Sequence, residues 1–492
     1  MASLIRNTWS RVFAQARTAT WLLACVACPA PGDGATESTG GGSVTTGTGT
    51  STGGSTTVAS GSSSTTTDGT TAPTSGPVGS STSSSSASST SMTDDPTGSS
   101  TTSASTDSTI ADPSSTTQGE VCPGGSVHEG DLVITDDTDL AALTCITEVT
   151  GDLKILGTSL TTFLELGNLE SVHGDVEIGE NPALVNLDGL VSLSVVGDGG
   201  FFTGEITIYN NPSLVDITGL QSLAKIDWLR IEGCDVLTDL TGPQGEILSF
   251  NPKGWGLALS NNASLENLDG LLAIETLRRR VALSDNPTLS DISALEFILA
   301  PDAEPEINIV GNPALMDLIG LEVVKQAFVV QIVDNDGLSN LHGLDNLQTA
   351  SDGIQIADND GLTSLTGLGQ LSSVENFYIE NNPVLASLSG LDSLTSVHTL
   401  RVGDCTNGNA SLVDLHGLEN VANIVALEVR KNTNLIALDG LNGLQSLAQL
   451  VAEFNPMLPP AEATDLAAQF GANIVLCNNL GPPEDCECTI MP

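Results

Sequence analysis

Apolar residues in the carboxyl three quarters of the chain follow two interleaved spacings. The segment 362 to 385 shows one unit, with Leu362, Leu365, Leu368, Leu371, Val374, Phe377, Ile379, Asn382 and Leu385 at the regular positions. Apolar residues fall every third position to Phe377 and then every second through Ile379. Three-residue spacing suits a tight, three-ten-like arc, and two-residue spacing suits a short strand with alternate side chains inward. Each unit is therefore predicted to be one strand and one arc of a coil. The glycine of an "L-x-G-L" phrase marks the period at Gly189, Gly219, Gly270, Gly320, Gly343, Gly367, Gly390, Gly417 and Gly440, with shortest gaps of 23 or 24 residues.

No single unit can bury its own apolar row, so successive coils must stack and share a core, about 4.8 Å apart where their strands pair. Strand centres are expected at Ile134, Ile155, Ile178, Ile208, Ile231, Leu259, Leu283, Ile309, Ile332, Ile356, Ile379, Val402, Val429 and Ala452. The fold class is thus a mainly β repeat solenoid, a right-handed parallel β-solenoid of about 14 coils and roughly 65 Å long. Three residues past most centres stands an Asn: Asn181, Asn211, Asn262, Asn286, Asn312, Asn335, Asn359, Asn382, Asn432 and Asn455. A carboxamide that donates and accepts suits a buried ladder satisfying backbone groups where each coil turns. The same count reaches Cys234 and Cys405, both expected as reduced, buried thiols in that ladder.

The strand, the "N-P-x-L" turn at 181–184, 211–214 and 312–315, and the "L-x-G-L" phrase resemble receptor L domains and related leucine-rich-repeat proteins. The opening "CPGGSVHEGDLVI", with Cys145 after "LAALT", resembles the amino-terminal cap of that family, and the resemblance implies a Cys122–Cys145 disulfide. The likeness spans about 122 to 476. It implies a binding protein and leaves the ligand open.

Four regions follow. Residues 1–28 hold three Arg, no acid and the run "ATWLLACVAC", the layout of a secretory signal too short to span a bilayer. "LLAC" resembles a bacterial lipobox with Cys25 as the lipidated residue, or Cys28 in its place. Residues 29–120 are Ser, Thr and Gly with scattered Pro and Asp, expected to be a disordered tether. The solenoid occupies 121–476, and 477–492 is a cysteine-containing cap. Signal, spacer and solenoid in this order imply export to a bacterial cell envelope, with lipid anchoring at the outer membrane and surface exposure.

The formal net charge of -46 disfavours nucleic acid and bare anionic lipid as partners, leaving the membrane to be met through the anchor alone. Nine cysteines are present. With Cys25 and Cys28 in the signal and Cys234 and Cys405 in the ladder, Cys122, Cys145, Cys477, Cys486 and Cys488 remain as capping disulfides, Cys477 pairing with Cys486 or Cys488.

Candidate sites fall in three groups. "D-N-D-G" occurs at 334–337 and 358–361, so Asp334, Asp336, Asp358 and Asp360 lie outward on adjacent coils, as turn formers or as calcium ligands. Insertions carry Phe201, Phe202, Phe250 and Trp255 into loops of a chain with only 3% aromatics, where they could anchor a partner. Arg278, Arg279 and Arg280 form the one basic run after the signal, to grip an anion or pair with acids such as Glu275, and Tyr378, Arg401, Arg230 and Gln355 take outward strand positions. None of the five histidines stands in a metal-ligand spacing, and no nucleophile elbow or phosphate loop occurs in the solenoid. The expected function is non-enzymatic binding of a protein or glycan at the cell surface without a cofactor. A structural envelope spacer is the alternative, and a calcium-dependent polysaccharide-acting enzyme is implied only by analogy to stacked-coil lyases.

Overall fold

A computed structural model describes residues 124–197, 204–243, 245–247 and 256–479, the backbone alone at 245–247. The described chain is a parallel β-solenoid running from Ser126 to Cys477. Its main sheet has 15 strands, each paired in parallel with the strand of the next coil. Every expected centre meets its successor in register: Ile134 pairs with Ile155, Ile332 with Ile356, Ile356 with Ile379, and Val429 with Ala452. A last strand, Asn473–Cys477, adds Leu476 opposite Ala452 and closes the stack one step beyond the expected series.

The inward rows are fully buried. Leu362, Leu365, Leu368, Leu371, Phe377 and Ile379 each have 0% exposure, so each aliphatic side chain contributes roughly 2 kcal/mol of burial. The arcs between them carry short three-ten turns such as Asp188–Leu190 and Thr218–Leu220, as the three-residue spacing requires. The "L-x-G-L" glycine has two reasons. At Gly367 φ is +118°, and a Cβ would lie 2.0 Å from the Leu341 carbonyl oxygen of the preceding coil.

The asparagine ladder runs through the core. Asn335 donates from its backbone N–H to Asn359 Oδ1 at 3.0 Å, and Asn359 does the same to Asn382 at 3.2 Å. Each carboxamide also donates backward, as Asn359 Nδ2 does to the Ile332 carbonyl at 3.0 Å. The residue before the ladder position turns left-handed. Of the ten non-glycine residues with positive φ among the described residues, seven are Asn or Asp, the types that tolerate it best.

Three features depart from the sequence reading. A second parallel sheet of seven short strands flanks the first half, from Ser126–His128 to Ile274–Leu277. From Gln326 to Glu453 one strand of seven to nine residues per coil replaces the two. The final arc is an α-helix, Pro460–Phe470, opened by Pro at its first turn and ended by Gly471 in the left-handed region. Cys405 is the third departure and a correction. It is disulfide-bonded rather than a reduced ladder thiol. The loop Gly403–Gly408 delays the ladder residue to Asn409, which accepts from Asn382 N–H at 3.0 Å and donates to the Ile379 carbonyl at 2.8 Å. Asp404 Oδ1 holds that loop by accepting from the N–H groups of Thr406 and Asn407, at 2.7 and 2.6 Å. Cys234 is the free, fully buried thiol of the ladder, its pKa pushed up to about 12 by burial.

Candidate functional site

The residues on either side of each strand centre point out of the main sheet and form two columns along its outer face. In the first coils they are half-buried and locally paired, as Lys154 with Asp152 at 2.8 Å and Arg230 with Glu232. From Arg280 onward they join into a continuous polar spine. With its amide turned to satisfy both neighbours, Asn308 accepts from Arg280 Nε and Nη2 at 3.0 Å and donates to Gln331 Oε1 at 2.6 Å. Gln331 donates to Gln355 at 3.2 Å, and Gln355 to Glu380 Oε2 at 3.4 Å. Arg401 then bridges Glu380 at 3.4 Å and Glu428 at 2.8 Å. Arg430 bridges Glu428 and Glu453, the latter at 3.0 Å. Nine side chains are thus linked across eight strands, because in-register parallel pairing sets like positions about 4.8 Å apart, within reach of amides and guanidinium groups.

The spine has two chemical halves. Arg280 to Gln355 is an amide relay that starts at a cation and ends on a carboxylate, with Gln331 and Gln355 half-buried. Burial lowers the Arg280 pKa, with Glu306 at 3.8 Å opposing that shift. Glu380 to Glu453 is an alternating ion network, with Glu380 3%, Glu428 2%, Arg430 2% and Glu453 0% exposed. Burial raises the Glu380 pKa to about 7 against the opposing pull of Arg401. Burial works against the Arg401 charge too, but Glu428 and then Glu380 outweigh it and hold the guanidinium above its ordinary value. The Arg401 guanidinium lies 4.6 Å from the centre of the Tyr378 ring.

The predicted site residues separate along this face. Arg280 belongs to the spine, and Tyr378 lies beside it with its ring under Arg401. Arg278 pairs with Asp302 at 3.3 Å rather than with Glu275, and Arg279 is exposed. Phe201, Phe202, Phe250 and Trp255 lie outside the described residues, as do Cys25, Cys28, Cys122, Cys486 and Cys488. Cys145 and Cys477 are disulfide-bonded. Glu380, Glu428, Arg430 and Glu453 were not singled out from sequence, since isolated charges at outward strand positions read as a solvated face. Their shared place in successive coils was the available signal.

The "D-N-D-G" carboxylates serve the coil itself. Asp334 and Asp358 take the left-handed position with φ of 57° and 56°. Asp336 accepts from the Asp360 N–H at 3.1 Å, Asp358 from the Asn381 amide at 2.6 Å, and a Cβ at Gly361 would stand 2.2 Å from the Asp336 carbonyl. Desolvation, then Asp336 and Asp358, raises the Asp334 pKa. Among the described residues no group of three or more His, Cys, Asp or Glu side chains is placed to hold a metal ion, and no helix is long and apolar enough to cross a membrane. The calcium reading of these four residues therefore finds no support in their placement.

The sequence matches no known protein-family model and no curated protein.

Proposed function

We propose that this is an exported, lipid-anchored surface protein of a bacterial envelope that recognises a protein or glycan partner and performs no catalysis. The observation that carries this reading is the amide half of the spine, Arg280, Asn308, Gln331 and Gln355. It offers donors and acceptors at a regular spacing on a rigid sheet, already ordered by one another. Ordered polar groups lose little rotamer freedom on binding, and a row of amides with one guanidinium suits a hydroxyl-rich glycan or an extended peptide. Tyr378 adds an aromatic surface at the end of the row. The receptor L-domain resemblance points the same way, and residues 1–120 read as signal, lipid-modified cysteine and spacer support an outer-membrane position.

A second reading is a rigid envelope spacer. It is favoured by one observation, that the spine residues hydrogen-bond to each other and so already satisfy much of their capacity. Probing glycan and peptide arrays with the purified protein separates the two. Recognition predicts saturable binding that falls at least roughly tenfold in Gln331→Ala/Gln355→Ala while melting is unchanged. Absence of saturable binding, or binding indifferent to that change, leaves the spacer.

A further inference from the structure

The ladder edge of the last coils carries an open cleft of about 500 Å³. The loop Gly403–Gly408 forms one wall, pinned by its hydrogen bonds to Asp404 and by the disulfide at Cys405. Against it lie Lys431 and Phe454, which hold the same position in two successive coils. The Lys431 ammonium donates to the Thr406 carbonyl at 3.1 Å and stands 5.8 Å from the centre of the Phe454 ring. Neither residue suits its backbone. Both are left-handed, with φ of 53° and 58°, at a position that the other coils fill chiefly with Asn, Asp or Gly. A long or aromatic side chain is uncommon there and persists where its surroundings over-determine it, a pattern that gathers at ligand sites. Those surroundings are firm: Arg430 pairs with Glu453 at 3.0 Å just before these positions, and the Asn432 N–H donates to Asn455 Oδ1 at 3.0 Å just after them.

The chemistry of the cleft departs from that of the chain around it. Asp and Glu number 60 of the 492 residues, yet none of the described residues that line the cleft is acidic. Among the described residues, Lys431 is the one half-buried Lys or Arg that forms no ion pair. An ammonium with spare donors and no counter-ion suits a ligand carboxylate. Charges more than about 8 Å away are largely screened at physiological salt, so the net charge does not bar an anion from this spot. The Thr406 and Thr433 hydroxyls donate to Asp404 at 2.7 Å and to the Ala410 carbonyl at 3.5 Å, which leaves their oxygens as acceptors. The Asn407 carboxamide has no hydrogen-bond partner among the described residues and is able both to donate and to accept. A cation, an aromatic face and several amide and hydroxyl groups match a ring that carries hydroxyl groups and a carboxylate. A peptide is more commonly held along a sheet edge, and the strands behind the cleft, Ser396–Val402 to Ser446–Glu453, are already paired on both sides.

We propose that this cleft binds an acidic sugar, a uronic-acid residue of a glycan. Lys431 takes the carboxylate, Phe454 lies against the ring, and Thr406, Asn407 and Thr433 meet its hydroxyl groups. The site lies at the ladder edge rather than on the outer face of the sheet, and it holds whether or not the amide row binds a partner.

The test is isothermal titration calorimetry of the whole protein with digalacturonic acid, with its methyl ester and with the acidic dipeptide Glu-Glu. The acid should bind saturably and the ester at least about tenfold more weakly, since it offers Lys431 no charge. Lys431→Asn installs a residue that the left-handed backbone prefers, so it should melt no lower than the native protein while affinity for the acid falls at least about tenfold. Phe454→Asn should lose binding as well, and should it fail to fold, the ester and Lys431→Asn carry the test. Four outcomes overturn the proposal: no saturable binding of the acid, equal binding of the ester, tighter binding of the dipeptide, or undiminished binding by Lys431→Asn. A lower melting temperature for Lys431→Asn also overturns it, because it assigns that side chain to the fold. Binding of the acid should be unchanged in Gln331→Ala/Gln355→Ala, and its loss there would place the site on the amide row instead.

Discussion

Arg430→Met is the sharpest probe of the ion network. Met retains much of the buried volume and removes the guanidinium that bridges Glu428 and Glu453. Glu428 keeps Arg401 at 2.8 Å, so Glu453, 0% exposed, is the carboxylate that loses its 3.0 Å guanidinium contact. Removing one partner of a buried ion pair costs about 3–5 kcal/mol, because the remaining charge stays in a low-dielectric site, whereas an exposed pair is worth at most about 1 kcal/mol. The assay is urea unfolding followed by far-ultraviolet circular dichroism at pH 7. The expected loss is about 3–5 kcal/mol. The triple change Glu428→Gln/Arg430→Met/Glu453→Gln should regain most of the loss, since it removes the charges together. A loss below about 1 kcal/mol for the single change at pH 7 would refute the reasoning, because it would mean that water reaches the network.

Two further outcomes are expected. Gly367→Ala should destabilise by more than roughly 3 kcal/mol in a thermal or urea melt, since it adds a 2.0 Å clash with a backbone oxygen to an unfavourable φ of +118°; a change within 0.5 kcal/mol would contradict the close approach. Glu380 has its folded pKa raised to about 7 from 4.5, so the native state holds the extra proton between these values; its contribution is most favourable below pH 4.5 and is lost as pH rises to 7, by up to roughly 3 kcal/mol. The difference in stability between the native protein and Glu380→Gln, followed from pH 4.5 to 8, should therefore fall over that window, and a flat difference would be inconsistent with it.

The period was legible because it is written in inward residues, which the core constrains. Ile134 to Ala452 were readable as strand centres, and Asn181 to Asn455 as a ladder, since burial leaves those positions few alternatives. The errors came where spacing changed. Counting three residues past Val402 reached Cys405, although "N-A-S-L" at 409–412 repeats the ladder-to-leucine spacing of "N-P-x-L" and marked the true position. The helix Pro460–Phe470 was missed despite Pro460 and Gly471 at its ends, because the period was carried across it. The second sheet left no separate signal, its strands being two to four residues long and contiguous with the arc rows. The spine lay beyond a linear reading for a different reason. Its partners are 21 to 28 residues apart when they lie in neighbouring coils, and only the register makes Arg401 a neighbour of Glu428.

The ladder also makes the length of this molecule an adjustable quantity. Each coil satisfies its polar backbone through its two neighbours and asks nothing of more distant ones. The two "D-N-D-G" phrases are 24 residues apart, so excision of 336–359 would join Asn335 to Asp360 and rewrite the same five residues, Asp-Asn-Asp-Gly-Leu, with Asn335 facing Asn382. One whole coil, about 4.8 Å of length, is gained or lost in such a step without a new kind of contact. Duplication and deletion in the gene can therefore lengthen or shorten the solenoid in units that fold, and near-identical neighbours such as 331–344 and 355–368 are what a copied unit leaves behind.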